Sequence, residues 1–463
     1  MSDQLSGRNY KGTPGVEVGE YDSRAQSEME KSRNPIDSQG DLEERRSMKL
    51  SRRRKLALVA LGLVVSGIGA VGAILWRGIP CPQPTGRHHV GRTSYHLIDA
   101  SRPETFSDDP NDVRELMINV HYPADEAARA PRAPYADAPL AKCFGQAFNV
   151  PSFVLSLVHS HALEKPPCQA RDGGLPVVIF SPGLGAPPLV YTATLEDLAS
   201  HGFVVVSVSH PYSIAVTAFP DGRVVRSNEA GLAAAASLSE RGDSQEIAAP
   251  EKDVGAVCVK DVRFVLDELG RLNREDELLA GRLNLSAVGI FGHSLGGATA
   301  ARTVQIDARF RAGINMDGTD FGVTAGTGIS RPMMWLSSQI HNFDDAAPAK
   351  AGQTGAAFAE AWRTYEKRTN ELLQKSADGS RAVVRGTAHL TFASDVTLVA
   401  STWPWSWLVR GMDLGTIPGR RAVLVVDACI VAFFQRHLQG QSPPLLNDLA
   451  REFPELDVQT PQR

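Results

Sequence analysis

The chain opens on a long polar stretch, changes to an uninterrupted apolar one, and then settles into short apolar runs separated by polar and glycine-rich segments. Residues 1–55 are rich in Ser, Glu, Arg and Gly and hold few large apolar side chains. Such a segment buries too little surface to offset chain entropy, so disorder is expected there. Leu56–Trp76 then gives 21 residues without a charge, the length that crosses a hydrocarbon core of about 30 Å as a helix. Its flank Arg45–Lys55 carries seven basic residues and no acid, which predicts a signal-anchor with a cytoplasmic N-terminus and the rest of the chain on the extracytoplasmic side. Ser51-Arg52-Arg53 with Val71-Gly72-Ala73 also fits a cleaved export signal. A buried core helix is disfavoured because polar punctuation is missing. Gly62, Ser66 and Ala70 recur every four positions, a pattern common in membrane spans generally, and leave the oligomeric state open.

A linker over residues 77–86 leads into a globular region expected over 87–440. Leu116, Ile118, Val120 and Tyr122 alternate as in a half-buried strand closed by Pro123. The Pro-bounded stretch 124–175, apolar between Phe148 and Leu163, reads as helical surface or lid, covering a sheet edge or gripping lipid. From Pro176 the rhythm becomes buried strand, helix, buried strand: Val177–Phe180, Tyr191–Ser200, Gly202–Val208. Asp261–Leu269 places Val262, Val265, Leu266 and Leu269 on one helical face and is expected to stop at Gly270. Strands Ala287–Phe291, Ala312–Met316 and Pro332–Leu336, a closing helix Val423–Phe434 and a tail over 441–463 complete the chain. Continuous apolar strands separated by helices predict an α/β fold with a mostly parallel sheet and helices on both faces, preceded by one transmembrane helix.

Chemistry concentrates at Gly292-His293-Ser294-Leu295-Gly296, a strand-to-helix corner of the kind that lifts a seryl oxygen clear of a sheet. Ser294 is the candidate nucleophile. A serine hydroxyl needs a histidine to take its proton and a carboxylate to hold that histidine. Of the histidines downstream, His437 falls in the terminal helix and His341 directly follows a strand, whereas His389 sits in a glycine-entered loop and is favoured. Asp317 ends a strand soon after the serine, and Asp344 and Asp345 lie beyond the next strand. Topology leaves these acids open, with Asp320 a turn cap. The oxyanion requires two backbone donors, Leu295 N–H and, from the loop Ser181–Gly185, Leu184 N–H.

Composition narrows the partners. With 43% hydrophobic and 22% charged residues in 463, a net charge of -4 and a pI near 6.3, the chain has no electrostatic reason to bind nucleic acid. Five cysteines without CxxC or Cys/His spacing imply neither a disulfide scaffold nor a metal. In an oxidising compartment Cys143 and Cys168 are near enough in sequence to bridge, whereas Cys258 and Cys429 fall in apolar helical stretches as core thiols.

Several segments together resemble the platelet-activating factor acetylhydrolase family of α/β-hydrolases, the plasma and type II intracellular lipoprotein-associated phospholipases. They are Leu116–Ala124, Phe180–Gly185, Asp197–Phe203, Gly292–Gly297, Asp317 and His389–Phe392, spanning roughly residues 90 to 395. The resemblance implies Asp317 rather than Asp344 as the acid, His389 as base, and Leu184 with Leu295 as oxyanion donors. It also implies a calcium-independent, cofactor-free hydrolysis of short or oxidised sn-2 acyl groups of phospholipids. Two positions depart from the family pattern: Pro182 stands where His is usual and Leu295 where Phe is usual, so the acyl pocket and donor loop are expected to differ in shape. The rival readings are a general carboxylesterase or cutinase-like polyesterase with the same triad, and a non-catalytic hydrolase-fold binding protein.

Overall fold

The computed structural model describes residues 38–127, 129–231, 254–319, 323, 327–340, 355–444 and 446–459. It divides into two units, Met1–Ala73 and Ile74–Arg463. Helix α1 (Ser38–Arg77), most of which falls in the first, starts well before Leu56. Residues 38–55, expected to be disordered, are helical because Leu, Glu, Arg, Met and Lys are strong helix formers; the disorder expected for 1–37 lies outside the described residues. Among the described residues α1 is the one helix long and apolar enough to cross a membrane. Its Leu56, Leu61, Leu63 and Ile68 are more than half exposed.

The second unit is built on a ten-stranded sheet. In chain order its strands are β1 (Val90–Pro103), β2 (Val113–Pro123), β3 (Leu163–Glu164), β4 (Leu175–Ser181), β5 (Val204–Ser209), β6 (Leu283–His293), β7 (Phe310–Met316), β8 (Met333–Ile340), β9 (Gly379–Ala388) and β10 (Leu456–Gln459). In space they run β10-β9-β8-β7-β6-β4-β5-β2-β1-β3. Strands β4 to β9 pair in parallel; β2 is antiparallel to β1 and β5, and β10 to β9. The helices, again in chain order, are α2 (Ala138–Phe148), α3 (Thr192–Ser200), α4 (Val254–Glu275), α5 (Leu295–Ile306), α6 (Gly355–Lys375), α7 (Ser394–Ala400), α8 (Gly419–Leu438) and α9 (Leu446–Glu452).

Both faces of the sheet are covered, which is why the central strands are apolar on both sides. On one face Phe180, Phe203 and Phe291 pack with Val425, Ile430 and Phe434 of α8. On the other, Val177, Ile179 and Val206 pack with Val262, Val265 and Leu269 of α4. Phe434 is fully buried against the rings of Phe203 and Phe291, and truncating it to Ala would cost about 3–5 kcal/mol. The alternation in β2 divides the same way: Leu116, Ile118, Val120 and Tyr122 join the α4 face.

Four further expectations are corrected. Helix α4 runs through Gly270 to Glu275, because the buried stripe Val262, Val265, Leu269 and Leu272 outweighs the roughly 1 kcal/mol propensity cost of one glycine. The expected tail over 441–463 instead forms α9 and β10, docked through buried Leu449, Phe453 and Leu456 and paired to Arg381–Val384. The linker 77–86 is packed: Thr85 N–H donates to Asp197 at 2.6 Å and Gly86 N–H to Ser200 Oγ at 2.9 Å. Between Phe148 and Leu163 the chain is not one helix; Asn149 is left-handed and a 3-10 turn, Ser152–Leu157, follows. The cysteines Cys143 and Cys168 are both free and buried, as are Cys258 and Cys429.

Candidate active site

Strand β6 ends at His293 and α5 begins at Leu295, so Ser294 alone makes the corner, with φ 56° and ψ -120°. That strained backbone exists because the surroundings leave no alternative. A Cβ on Gly292 would lie 2.2 Å from Gly296 O, and one on Gly296 would lie 1.9 Å from Ser181 O. Both positions therefore require glycine, and the corner sits directly against the end of β4.

Asp317 follows β7 with φ 51°, a left-handed conformation that short polar side chains tolerate best. Its Oδ2 lies 2.7 Å from His389 Nδ1, which follows β9. Ser338, fully buried in β8, also meets the carboxylate: its N–H donates to Asp317 Oδ1 at 2.7 Å and its hydroxyl to Oδ2 at 2.9 Å. Sequence reading missed Ser338, because a strand serine becomes a carboxylate donor only through the β7–β8 pairing. The alternatives Asp344 and Asp345, together with Asp320 and His341, lie outside the described residues. His437 is on α8, its Nε2 3.9 Å from Asp378.

His293 is the other contributor that sequence reading did not single out. It is fully buried, and burial with nearby His389 lowers its pKa to about 3, so the ring is neutral. Its Nε2 faces the His389 carbonyl at 3.0 Å and its Nδ1 faces Tyr191 Oη at 2.8 Å. A carbonyl only accepts, so Nε2 carries the proton and Nδ1 accepts from Tyr191. Tyr191 Oη in turn accepts from Gly183 N–H at 3.4 Å. One neutral imidazole thereby links the loop of the candidate base to the loop of the candidate oxyanion donor.

The donor loop Ser181–Gly185 passes over the corner: a Cβ on Gly183 would lie 3.4 Å from Ser294 Cβ. Among the described residues neither Leu184 N–H nor Leu295 N–H donates to a protein acceptor, and Leu295 is the first residue of α5, where helix geometry supplies none. Leu184 is partly exposed, as is the His389 ring, so the edge is open to a ligand. A serine on a strained corner, an imidazole oriented by a carboxylate and two unused N–H donors are the parts that acyl transfer needs.

Comparison with known proteins finds ester hydrolases. The sequence profile described as "Platelet-activating factor acetylhydrolase, isoform II" matches residues 78–240 and 266–444. A protein of Arthroderma benhamiae named "Probable 1-alkyl-2-acetylglycerophosphocholine esterase" is 23% identical over 397 residues, covering 81% of this chain and 92% of its own. The "Platelet-activating factor acetylhydrolase" of Cavia porcellus is 28% identical over 279 residues, 57% of each chain. Among solved structures, a ferulic acid esterase from Streptomyces cinnamoneus superimposes with a TM-score of 0.64 at 30% identity, over 83% of this chain and all of that one.

Proposed function

The chain belongs to the platelet-activating factor acetylhydrolase, isoform II, family of carboxylic ester hydrolases, and from that premise we propose that it is a membrane-anchored serine esterase that removes short or oxidised sn-2 acyl groups from phospholipids. The observation that carries the reading is the 2.7 Å pairing of His389 with Asp317 at the same sheet edge as the Ser294 corner. Ser294 Oγ attacks the ester carbonyl while His389 Nε2 takes its proton, and Asp317 holds Nδ1–H and the charge that forms. The oxyanion accepts from Leu184 and Leu295 N–H. Collapse expels the lysophospholipid alcohol, which takes the proton from His389; a water then repeats the sequence and releases the carboxylic acid from the acyl-enzyme. Every step is a proton or acyl transfer among Ser294, His389, the ester and water, and the proposed mechanism calls on neither calcium nor a cofactor.

The exposed apolar surface of α1 and the basic run before it support a signal-anchor, N-terminus cytoplasmic, with the hydrolase domain beside the outer leaflet. The ferulic acid esterase neighbour supports a second reading, a general carboxylesterase or polyesterase. The test is release of acetate from an sn-2-acetyl ether phospholipid by the full chain in EDTA, beside nitrophenyl acetate and a Ser294→Ala variant. Serine-dependent turnover of both esters is expected. Activity on nitrophenyl acetate alone moves the protein to the general esterases, and turnover retained in Ser294→Ala overturns the triad. Failure of a fluorophosphonate to label Ser294 in folded protein would favour a non-catalytic binding protein.

A further inference from the structure

Behind the donor loop lies a second serine, histidine and aspartate in contact. Ser181 Oγ is 3.1 Å from His210 Nε2, and His210 Nδ1 is 2.8 Å from Asp261 Oδ2. Arg114 binds both oxygens of Asp261, at 3.1 and 2.6 Å, and Glu104 at 2.7 Å. Arg102 reaches Asp261 Oδ1 at 2.8 Å. Ser181, His210, Asp261 and Arg114 are all at most 2% exposed, so this serine meets no substrate and is not a second nucleophile. Burial opposes a charged ring, yet contact with Cys258 and the Asp261 carboxylate raises the His210 pKa to about 9. Doubly protonated, His210 donates from Nδ1 to Asp261 and from Nε2 to Ser181.

Such a network is costly. Buried ion pairs are matched or bettered in stability by apolar residues of similar volume, so stability alone gives weak reason for one. Its place in the fold gives a better reason. The donor loop begins at Ser181, held by the His210 ring. It ends at Gly185, whose N–H donates to Ser213 O at 2.8 Å and whose carbonyl accepts from Ala215 N–H at 3.2 Å. Ser213 N–H donates to His210 O at 3.1 Å, and Arg114 donates to Pro211 O at 3.3 Å. Both ends of the loop are therefore pinned to one turn, residues 210–213, and that turn is pinned to the charges of Arg114 and Asp261.

We propose that Ser181, His210, Asp261 and Arg114 form a clamp that positions the oxyanion donor loop, with Ser181 and His210 as positioning residues for Leu184 N–H. The inference rests on the reading of Leu184 as an oxyanion donor, and the experiment separates the two. In the full chain, Ser181→Ala, His210→Gln and Leu184→Pro are first titrated to completion with a fluorophosphonate, whose endpoint counts folded sites with a reactive Ser294. Turnover of nitrophenyl acetate is then expressed per titrated site.

Losing one donor outright costs about 10²–10³ in kcat, so a displaced donor is expected to cost ten- to a hundredfold in Ser181→Ala with KM within twofold. His210→Gln, which keeps a donor to Ser181 and loses the Asp261 contact, is expected to fall between Ser181→Ala and wild type. A purely structural network would lower the titratable fraction and leave kcat per site unchanged. That result, kcat per site within twofold of wild type in both clamp variants, overturns the proposal. Leu184→Pro removes the N–H itself; full activity per site there overturns the donor assignment instead. Should Ser181→Ala yield no titratable protein, Ser181→Cys, similar in shape with a weaker partner atom, is read by the same criterion.

Discussion

Replacing Asp317 by asparagine changes one atom and tests the acid assignment through a tautomer. Asp317 Oδ1 accepts from Ser338 N–H at 2.7 Å, while Oδ2 accepts from the Ser338 hydroxyl at 2.9 Å and faces His389 Nδ1 at 2.7 Å. An asparagine must place its NH2 at one of these two positions. At Oδ1 it meets a backbone N–H that cannot turn away. At Oδ2 it meets a hydroxyl that rotates and an imidazole that can move its proton, so the amide nitrogen settles there. His389 is then left protonated on Nε2 and cannot accept from Ser294. In serine hydrolases this substitution costs about 10⁴ in kcat, about 5 kcal/mol of barrier. Ser338→Ala removes one donor to the carboxylate and keeps the tautomer, and is expected to cost about tenfold, roughly 1.5 kcal/mol. The assay is kcat on nitrophenyl acetate per fluorophosphonate-titrated site for Asp317→Asn, Ser338→Ala and Asp344→Asn. An Asp317→Asn enzyme within tenfold of wild type would refute the reasoning, and collapse of Asp344→Asn beside it would move the acid to Asp344.

Gly270→Ala, in the interior of α4, is expected to raise stability by about 1 kcal/mol in chemical denaturation, because the nearest atoms to the new Cβ are 3.8 and 3.9 Å away; a loss would mean that α4 needs the glycine. His121 is buried with neither ring nitrogen hydrogen-bonded among the described residues, and burial with the Arg92 charge lowers its pKa to about 3. The unfolded chain takes up a proton below about pH 6.5 and the folded chain does not until about pH 3, so stability drains away as pH falls through that window. His121→Phe is expected to stabilise at pH 7, and by up to about 3 kcal/mol more at pH 4.5. An equal effect at both pH values would show that His121 charges readily in the fold. Pro182→His is expected to shift the ratio of phospholipid to nitrophenyl acetate turnover while leaving aryl ester kcat within a few-fold. Equal tenfold losses on both substrates would show that Pro182 sets donor geometry instead of pocket shape.

What the sequence made legible follows from the range of the interactions involved. The Ser294 corner and the buried strands rest on neighbours in the chain, and their signals, two glycines around a serine or a run of valines and isoleucines, survive without tertiary information. Helix α9 and strand β10 were missed because each is short, and their anchors Leu449 and Leu456, with Phe453 between them, are buried only once β9 is in place. Gly270 misled for the opposite reason: its local propensity was read correctly and then overridden by the packing of Val265, Leu269 and Leu272. Ser338, Tyr191 and His210 had no sequence signal at all. Each acts on a partner between 8 and 102 positions away, and a lone hydroxyl or imidazole in a strand or loop looks the same whether or not that partner exists.

In the proposed mechanism, catalytic power and substrate choice are carried by different atoms of the donor loop. Its supports act at Ser181, at Gly183 N–H and at both backbone groups of Gly185, all of them main-chain atoms or the small hydroxyl at its entrance. The side chains of Pro182 and Leu184 contribute to none of these bonds, which leaves those two positions free to change shape while the Leu184 N–H stays where it is. Pro182 falls on one of these two positions. Leu295 likewise presents its N–H from the first turn of α5, and its side chain takes no part in those bonds. A change in acyl preference thus needs no change in the main-chain frame that would hold the proposed oxyanion donors.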